Sequence, residues 1–152
     1  MTGLDRIDRS LLVLLQQDAS KSISDLGEQV GLSSSPCARR IRRLESEGYI
    51  TATTARVSRE KLNLDIMVFV HVRLSKHQDL VVSNFEDSVS RMKEVISCYT
   101  VSGAFDYLLQ VVCEDFSEYE KWLKRLQKLD AVTQMDSSFS IRTVKEAGIY
   151  SV

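Results

Sequence analysis

Ser33-Ser34-Ser35-Pro36-Cys37-Ala38-Arg39-Arg40-Ile41-Arg42-Arg43-Leu44-Glu45-Ser46-Glu47-Gly48 is the stretch on which the fold turns. Either Ser35 caps a helix with Pro36 at its first position, or Ser33 caps it with the proline still inside the first turn. Proline is tolerated in both places, because its missing N–H would have no helical partner there. The helix runs to Glu47, and Gly48 stops it. At about 100° per residue, Cys37, Ile41 and Leu44 gather on one face, which is the buried one. Ser35, Arg39, Arg42, Arg43 and Ser46 project from the opposite face, with Arg40 at the flank.

Two more helices precede it. Asp5 is a good N-cap, and Ile7, Leu11, Leu14 and Leu15 recur at helical spacing before the pattern ends near Asp18. Ser22-Ile23-Ser24-Asp25 reads as a capping box, Leu26 and Val30 share a face with Ile23, and Gly31 ends the second helix. After the third helix, Tyr49 to Val57 is short and rich in Thr and β-branched residues, which predicts a small hairpin or ribbon. Three helices and a ribbon predict a winged helix-turn-helix over residues 1–57. Residues 58–65, with Lys61, Asn63 and Asp65, break both periodicities and form the expected linker.

From Ile66 the pattern becomes strict alternation: Ile66, Val68, Val70, Val72 and Leu74 on one side, Met67, Phe69, His71 and Arg73 on the other. A helix marked by Val82, Phe85, Val89 and Met92 follows this strand. Strands at about 95–101 and 107–113 are joined by the glycine-containing Ser102-Gly103-Ala104-Phe105-Asp106. Asp115 and Glu118 start a second helix with Phe116, Tyr119, Leu123 and Leu126 on one face, and a last strand covers about 132–144. Residues 66–152 therefore read as β-α-β-β-α-β, the ferredoxin-like arrangement, and the whole chain as α+β. Both helices cover one face of such a sheet. Met67 and Phe69 make the other face too apolar for water, which implies a dimer.

Composition narrows the function further. A chain of 152 residues with 43% hydrophobic and 27% charged content fits one or two soluble domains. No run of about 18 apolar residues exists and Met1-Thr2-Gly3-Leu4-Asp5 lacks a signal-peptide profile, so a cytoplasmic protein without membrane contact is expected. Cys37, Cys98 and Cys113 are too far apart and too few for a disulfide framework or a zinc site. His71 and His77 have no partners at metal spacing, and no phosphate loop or nucleophile motif is present, so neither metal, cofactor nor enzymatic activity is expected. Residues 1–61 carry ten Lys/Arg against eight Asp/Glu, whereas residues 62–152 carry ten against thirteen, so nucleic acid belongs with the first part. The small Ser34 and Ser35 followed by Arg39, Arg42 and Arg43 are what a helix needs to read the major groove of double-stranded DNA, and Arg56 in the ribbon suits a flanking phosphate.

The sequence resembles the Lrp/AsnC (leucine-responsive, or feast/famine) regulators. The carrying residues are Leu4-Asp5-Arg6-Ile7-Asp8, Val30-Gly31-Leu32-Ser33 with Ser35-Pro36-Cys37, Arg39 through Glu45, Glu47-Gly48-Tyr49-Ile50, Ser102-Gly103 with Asp106-Tyr107, and Ser138-Phe139 with Thr143-Val144-Lys145. These span nearly the whole chain in the right order. The resemblance implies a homodimer assembling to an octamer and a free amino acid as effector. Gly27 stands where alanine is frequent, Ser34 where proline is, and Ala104-Phe105 where a more polar pair is.

The resemblance also makes the 102–107 loop an effector site rather than an ordinary hairpin: Ser102, Gly103, Phe105, Asp106 and Tyr107, joined by Ser137 and Ser138. Its chemistry is compatible with that role. Gly103 exposes backbone N–H groups to a carboxylate, Asp106 offers a counter-charge to an α-ammonium, and the serines offer hydroxyls. Alternate strand residues face opposite ways, so either Ser137 or Ser138 faces the ligand. The apolar Ala104 and Phe105 favour leucine or methionine. The competing reading is an amino-acid-binding regulatory subunit of an enzyme, without DNA binding, since ferredoxin-like domains serve that role as well.

Overall fold

In the computed structural model, which describes residues 3–75, 78–145 and 148–152, Asp5 and Asp8 start the first helix by capping each other. The Asp8 N–H donates to Asp5 Oδ1 at 2.8 Å and the Asp5 N–H donates to Asp8 Oδ2 at 3.0 Å, leaving α1 (Arg6–Gln17) with few unbonded donors. Ser22 and Asp25 do the same for α2 (Ile23–Val30), which ends on left-handed Gly31 at φ 71°. Of the two starts open to α3 (Ser34–Ser46), Ser33 is the N-cap and Pro36 lies within the first turn. Leu11, Leu26, Cys37, Ile41 and Leu44 form the shared core of the three helices. Between α2 and α3 the Leu32 N–H donates to the Gly27 carbonyl at 2.8 Å, and a Cβ on Gly27 would meet the Leu32 oxygen at 2.6 Å. This close approach leaves no room for a side chain at Gly27.

The ribbon expected over 49–57 forms no strand ladder among the described residues. Tyr49 and Ile50 both donate to the Leu44 carbonyl, at 2.9 and 3.1 Å, and residues 51–57 then run exposed. Thr and Ala side chains there give the segment neither an apolar face nor a second strand to pair with. A single 3-10 turn, Glu60–Leu62, lies inside the expected linker.

The chain divides into two units, residues 1–56 with 144–152 and residues 57–143. The second is a four-stranded sheet of β1 (Ile66–Leu74), β2 (Val95–Thr100), β3 (Tyr107–Cys113) and β4 (Val132–Phe139), in the order β2-β3-β1-β4 with every neighbour antiparallel. Val68, Val70, Val72 and Leu109 pack against Phe85 and Val89 of α4 (Asp79–Ser90) and Trp122 and Leu126 of α5 (Phe116–Gln127). Asp115 caps α5, while Glu118 reaches back to the Glu114 N–H at 2.8 Å. β4 ends at Phe139 and not near 144, because Phe139 already pairs with Val68 and Ser140 donates to Met67, close to the start of β1. Residues 144–152, expected with the sheet, group with the three helices instead. Of the two histidines, His71 lies on the sheet face away from the helices and His77 falls outside the described residues.

Candidate functional site

Each unit carries one candidate site. On α3, Ser34, Ser35, Arg39 and Arg42 are exposed, and among the described residues neither Arg39 nor Arg42 has an ion-pair partner. Arg40 and Arg43 turn the other way. Arg40 Nη1 reaches Asp5 Oδ2 at 2.6 Å and Asp8 Oδ1 at 2.8 Å, and Arg43 Nη2 reaches Asp8 Oδ2 at 2.5 Å. The projection of Arg43 from the exposed face is thereby corrected. A helical wheel treats α3 alone, whereas the fully buried Asp8 of α1 lies within reach and takes the guanidinium. Arg56 is exposed at the end of this unit.

Asp5 is held at about 2, well below the ordinary carboxylate range, first by the Asp8 N–H it accepts and then by Arg40. A carboxylate depressed on folding contributes stability that is complete above its unfolded value and lost as pH falls toward the folded one. Stability should therefore decline between about pH 4 and pH 2 from this source, and Asp5→Asn should flatten that limb in an acid titration followed by circular dichroism. An unchanged acid limb would show that Asp5 is not linked to folding.

In the sheet unit, Ser102, Gly103 and Ala104 are exposed, and Gly103 adopts φ +117° with open space where a side chain would stand. Asp106 staples this connection to β1: its N–H donates to Val72 at 2.9 Å, its carbonyl accepts Val101 at 2.9 Å, and its Oδ2 accepts the Leu74 N–H at 2.7 Å. Phe105 lies with His71, ring centroids 5.3 Å apart, and under the Arg73 guanidinium at 5.7 Å. Arg73 also donates to the Ala104 carbonyl. Ala104 and Phe105 thus come together with two residues of the open sheet face, His71 and Arg73. Sequence reasoning missed both, although the alternation of β1 had put them on the same side as Met67 and Phe69.

Two expected residues point elsewhere. Tyr107 donates to Glu86 Oε1 at 2.7 Å and stacks on Phe85, and burial followed by the Glu86 bond pushes it up to about 12. Ser137 accepts from the Tyr119 hydroxyl at 2.8 Å, also on the helix side. Ser138 is exposed on the open face opposite Phe69, and Asp136 lies opposite His71.

A three-helix unit presenting arginines on its third helix, joined to a ferredoxin-like sheet with a glycine loop over its open face, defines a class: a DNA-binding module coupled to a ligand-binding one. Residues 4–51 match the winged helix-turn-helix DNA-binding family, and residues 67–150 match the Lrp/AsnC ligand binding domain. The chain belongs to the Lrp/AsnC family of transcription regulators. It is 38% identical over 145 residues to the leucine-responsive regulatory protein of Escherichia coli (strain K12), covering 95% of this chain and 88% of that protein. It is 36% identical over 147 residues to the proline dehydrogenase transcriptional activator of Rhizobium radiobacter, covering 96% and 94%. The crystal structure of a Neisseria meningitidis transcriptional regulator in its L-Met complex superimposes with a TM-score of 0.93 at 32% identity, covering 97% of this chain and 96% of that one. These relatives are transcription regulators rather than enzymes. No helix among the described residues is long and apolar enough to cross a membrane.

Proposed function

We propose that this chain is a cytoplasmic, sequence-specific transcription regulator without enzymatic activity, in which α3 reads the major groove of double-stranded DNA and the sheet unit binds a free amino acid. The observation that carries the reading is the division of labour on α3. Asp5 and Asp8 hold Arg40 and Arg43 inward, and Arg39 and Arg42 remain turned to solvent behind the small Ser34 and Ser35. Arg43 then serves to orient the helix, and Arg56 is assigned to a flanking phosphate. Titration of duplex DNA at several salt concentrations tests this. A steep salt dependence is expected, and its absence would favour the reading as a regulatory subunit of an enzyme.

The effector assignment rests on the loop and on the relative that binds L-Met. Gly103 supplies N–H groups for a carboxylate, Asp106 the charge for an ammonium, and Arg73 and His71 frame Phe105, whose ring favours leucine or methionine. The open face, with Met67 and Phe69 half-buried and Tyr99 exposed, is assigned to a homodimer that assembles to an octamer with the amino acid bridging dimers. Asp106→Asn keeps an oxygen for the Leu74 N–H and removes the charge. Calorimetry with a panel of amino acids should find leucine or methionine bound by the wild type and at least about tenfold weaker binding by the variant. Equal binding by both, or none by the wild type, would remove Asp106 or the loop from the site.

A further inference from the structure

The last nine residues do not stay with the strand that precedes them. β4 ends at Phe139, only residues 140–143 intervene, and residues 144–152 belong to the three-helix unit. The link is made at Gln16, in the last turn of α1. Its Oε1 accepts the Tyr150 N–H at 2.7 Å and its Nε2 donates to the Tyr150 carbonyl at 3.3 Å, so one side-chain amide satisfies both backbone groups of a single residue, as a neighbouring strand would. The same Nε2 also donates to the Leu12 carbonyl at 3.2 Å, which fixes the orientation of the amide. Val152 then lines two clefts on α1: one of about 810 Å³ bounded by Leu12, Leu15, Ile41 and the 49–56 segment, and one beside Arg9 and Val13.

We propose that α1 carries a docking site whose occupant is the chain's own segment 148–152, read by its backbone at Tyr150. The peptide chemistry fits: an amide that bonds backbone is indifferent to the Tyr150 side chain, which is exposed. The consequence concerns regulation. The chain crosses between the two units twice, at 56–57 and at 143–144, so a change in the sheet unit has a second covalent path toward α1. Ligand-dependent change in the sheet unit is thereby delivered to α1 as well as through the linker. That consequence rests on the regulatory reading above; the docking does not.

Carboxypeptidase trimming of the full chain tests the docking directly, each rate being divided by that of a free peptide with the same last ten residues. Wild type should be trimmed more slowly than its peptide. Gln16→Ala, which leaves the tail sequence untouched, and Tyr150→Pro, which deletes the donated N–H, should each be trimmed about five-fold faster than wild type, the scale of one net hydrogen bond. Tyr150→Phe keeps both backbone bonds and should match wild type. Wild type trimmed as fast as its peptide, or Gln16→Ala no faster than wild type, would overturn the proposal, as would Tyr150→Phe behaving like Tyr150→Pro. Because no effector or DNA enters the measurement, its failure is separate from any failure of the regulatory reading.

Discussion

Asp8→Ala is expected to destabilise the three-helix unit by about 3 kcal/mol. Asp8 is fully buried, takes Arg40 on one oxygen and Arg43 on the other, and accepts the Asp5 N–H that closes the capping box. Removing it leaves the Arg43 guanidinium without a counter-charge and Arg40 with Asp5 alone. The effect sits at the low end for a broken buried ion pair because the Arg40 and Arg43 side chains keep 26% and 33% of their surface in water and can recover some solvation. Urea unfolding read in two ways isolates the change. The only tryptophan, Trp122, lies in the core of the sheet unit, so its fluorescence reports that unit alone, while far-ultraviolet circular dichroism follows α1–α3 together with α4 and α5. The helical transition should move to lower urea and the fluorescence transition should not. A shift below about 1 kcal/mol would mean that the cluster is little more than a surface ion pair.

The same cluster separates stability from recognition. Replacing Asp8, Arg40 and Arg43 together by apolar residues of similar size should restore most of the lost stability, since a buried charge network is often no better than well-packed hydrophobic side chains. If Arg40 and Arg43 act only as struts, the triple variant keeps specific DNA binding. Loss of binding in a stable triple variant would return Arg43 to the groove.

How much of this was legible in the sequence depends on the range of the interaction. The caps at Asp5, Ser22 and Asp115, the glycine stops at Gly31 and Gly48, and the alternation of β1 are set by residues a few positions apart, and the structure has all of them. The sheet with both helices on one face followed from β-α-β-β-α-β, and the buried face of α3 from helical period. What the sequence hid was decided between distant residues. Arg43 turns inward because of a carboxylate 35 positions away, and the C-terminal segment leaves the sheet unit for an amide 134 positions away. At the loop, the family resemblance pointed to Phe105 and Asp106 but not to Arg73 and His71, which reach Phe105 only once β1 and β3 are in register. It also grouped Tyr107 and Ser137 with the loop, whereas hydrogen bonds to Glu86 and from Tyr119 draw both toward the helices. The 49–57 ribbon misled because β-branched composition gives extended backbone without giving a partner strand.

Arg39→Ala and Arg42→Ala should each weaken specific DNA binding by about 1–3 kcal/mol where the side chain meets a base edge, and the double variant by roughly the sum. The two residues are three apart on α3, exposed, and without an ion-pair partner among the described residues, so neither has a structural role whose loss would mimic a binding defect. Lysine substitutions divide the possible roles. A phosphate contact needs only the positive charge, so Arg→Lys there leaves affinity nearly intact, while Arg→Ala lowers it uniformly on specific and nonspecific duplexes and reduces the salt slope by about 0.9. A bidentate contact to guanine needs the planar fork, so Arg→Lys and Arg→Ala both lose discrimination at one base pair while nonspecific binding changes little. Arg40→Ala is the contrast: because Arg40 is tied to Asp5 and Asp8, its replacement should lower the stability of the three-helix unit more than its affinity for DNA. Equilibrium titrations of the six variants and the wild type on specific and unrelated duplexes, at three or more salt concentrations, distinguish these outcomes. Unchanged affinity in both alanine variants would remove α3 from recognition and turn attention to the exposed 51–57 segment that follows it.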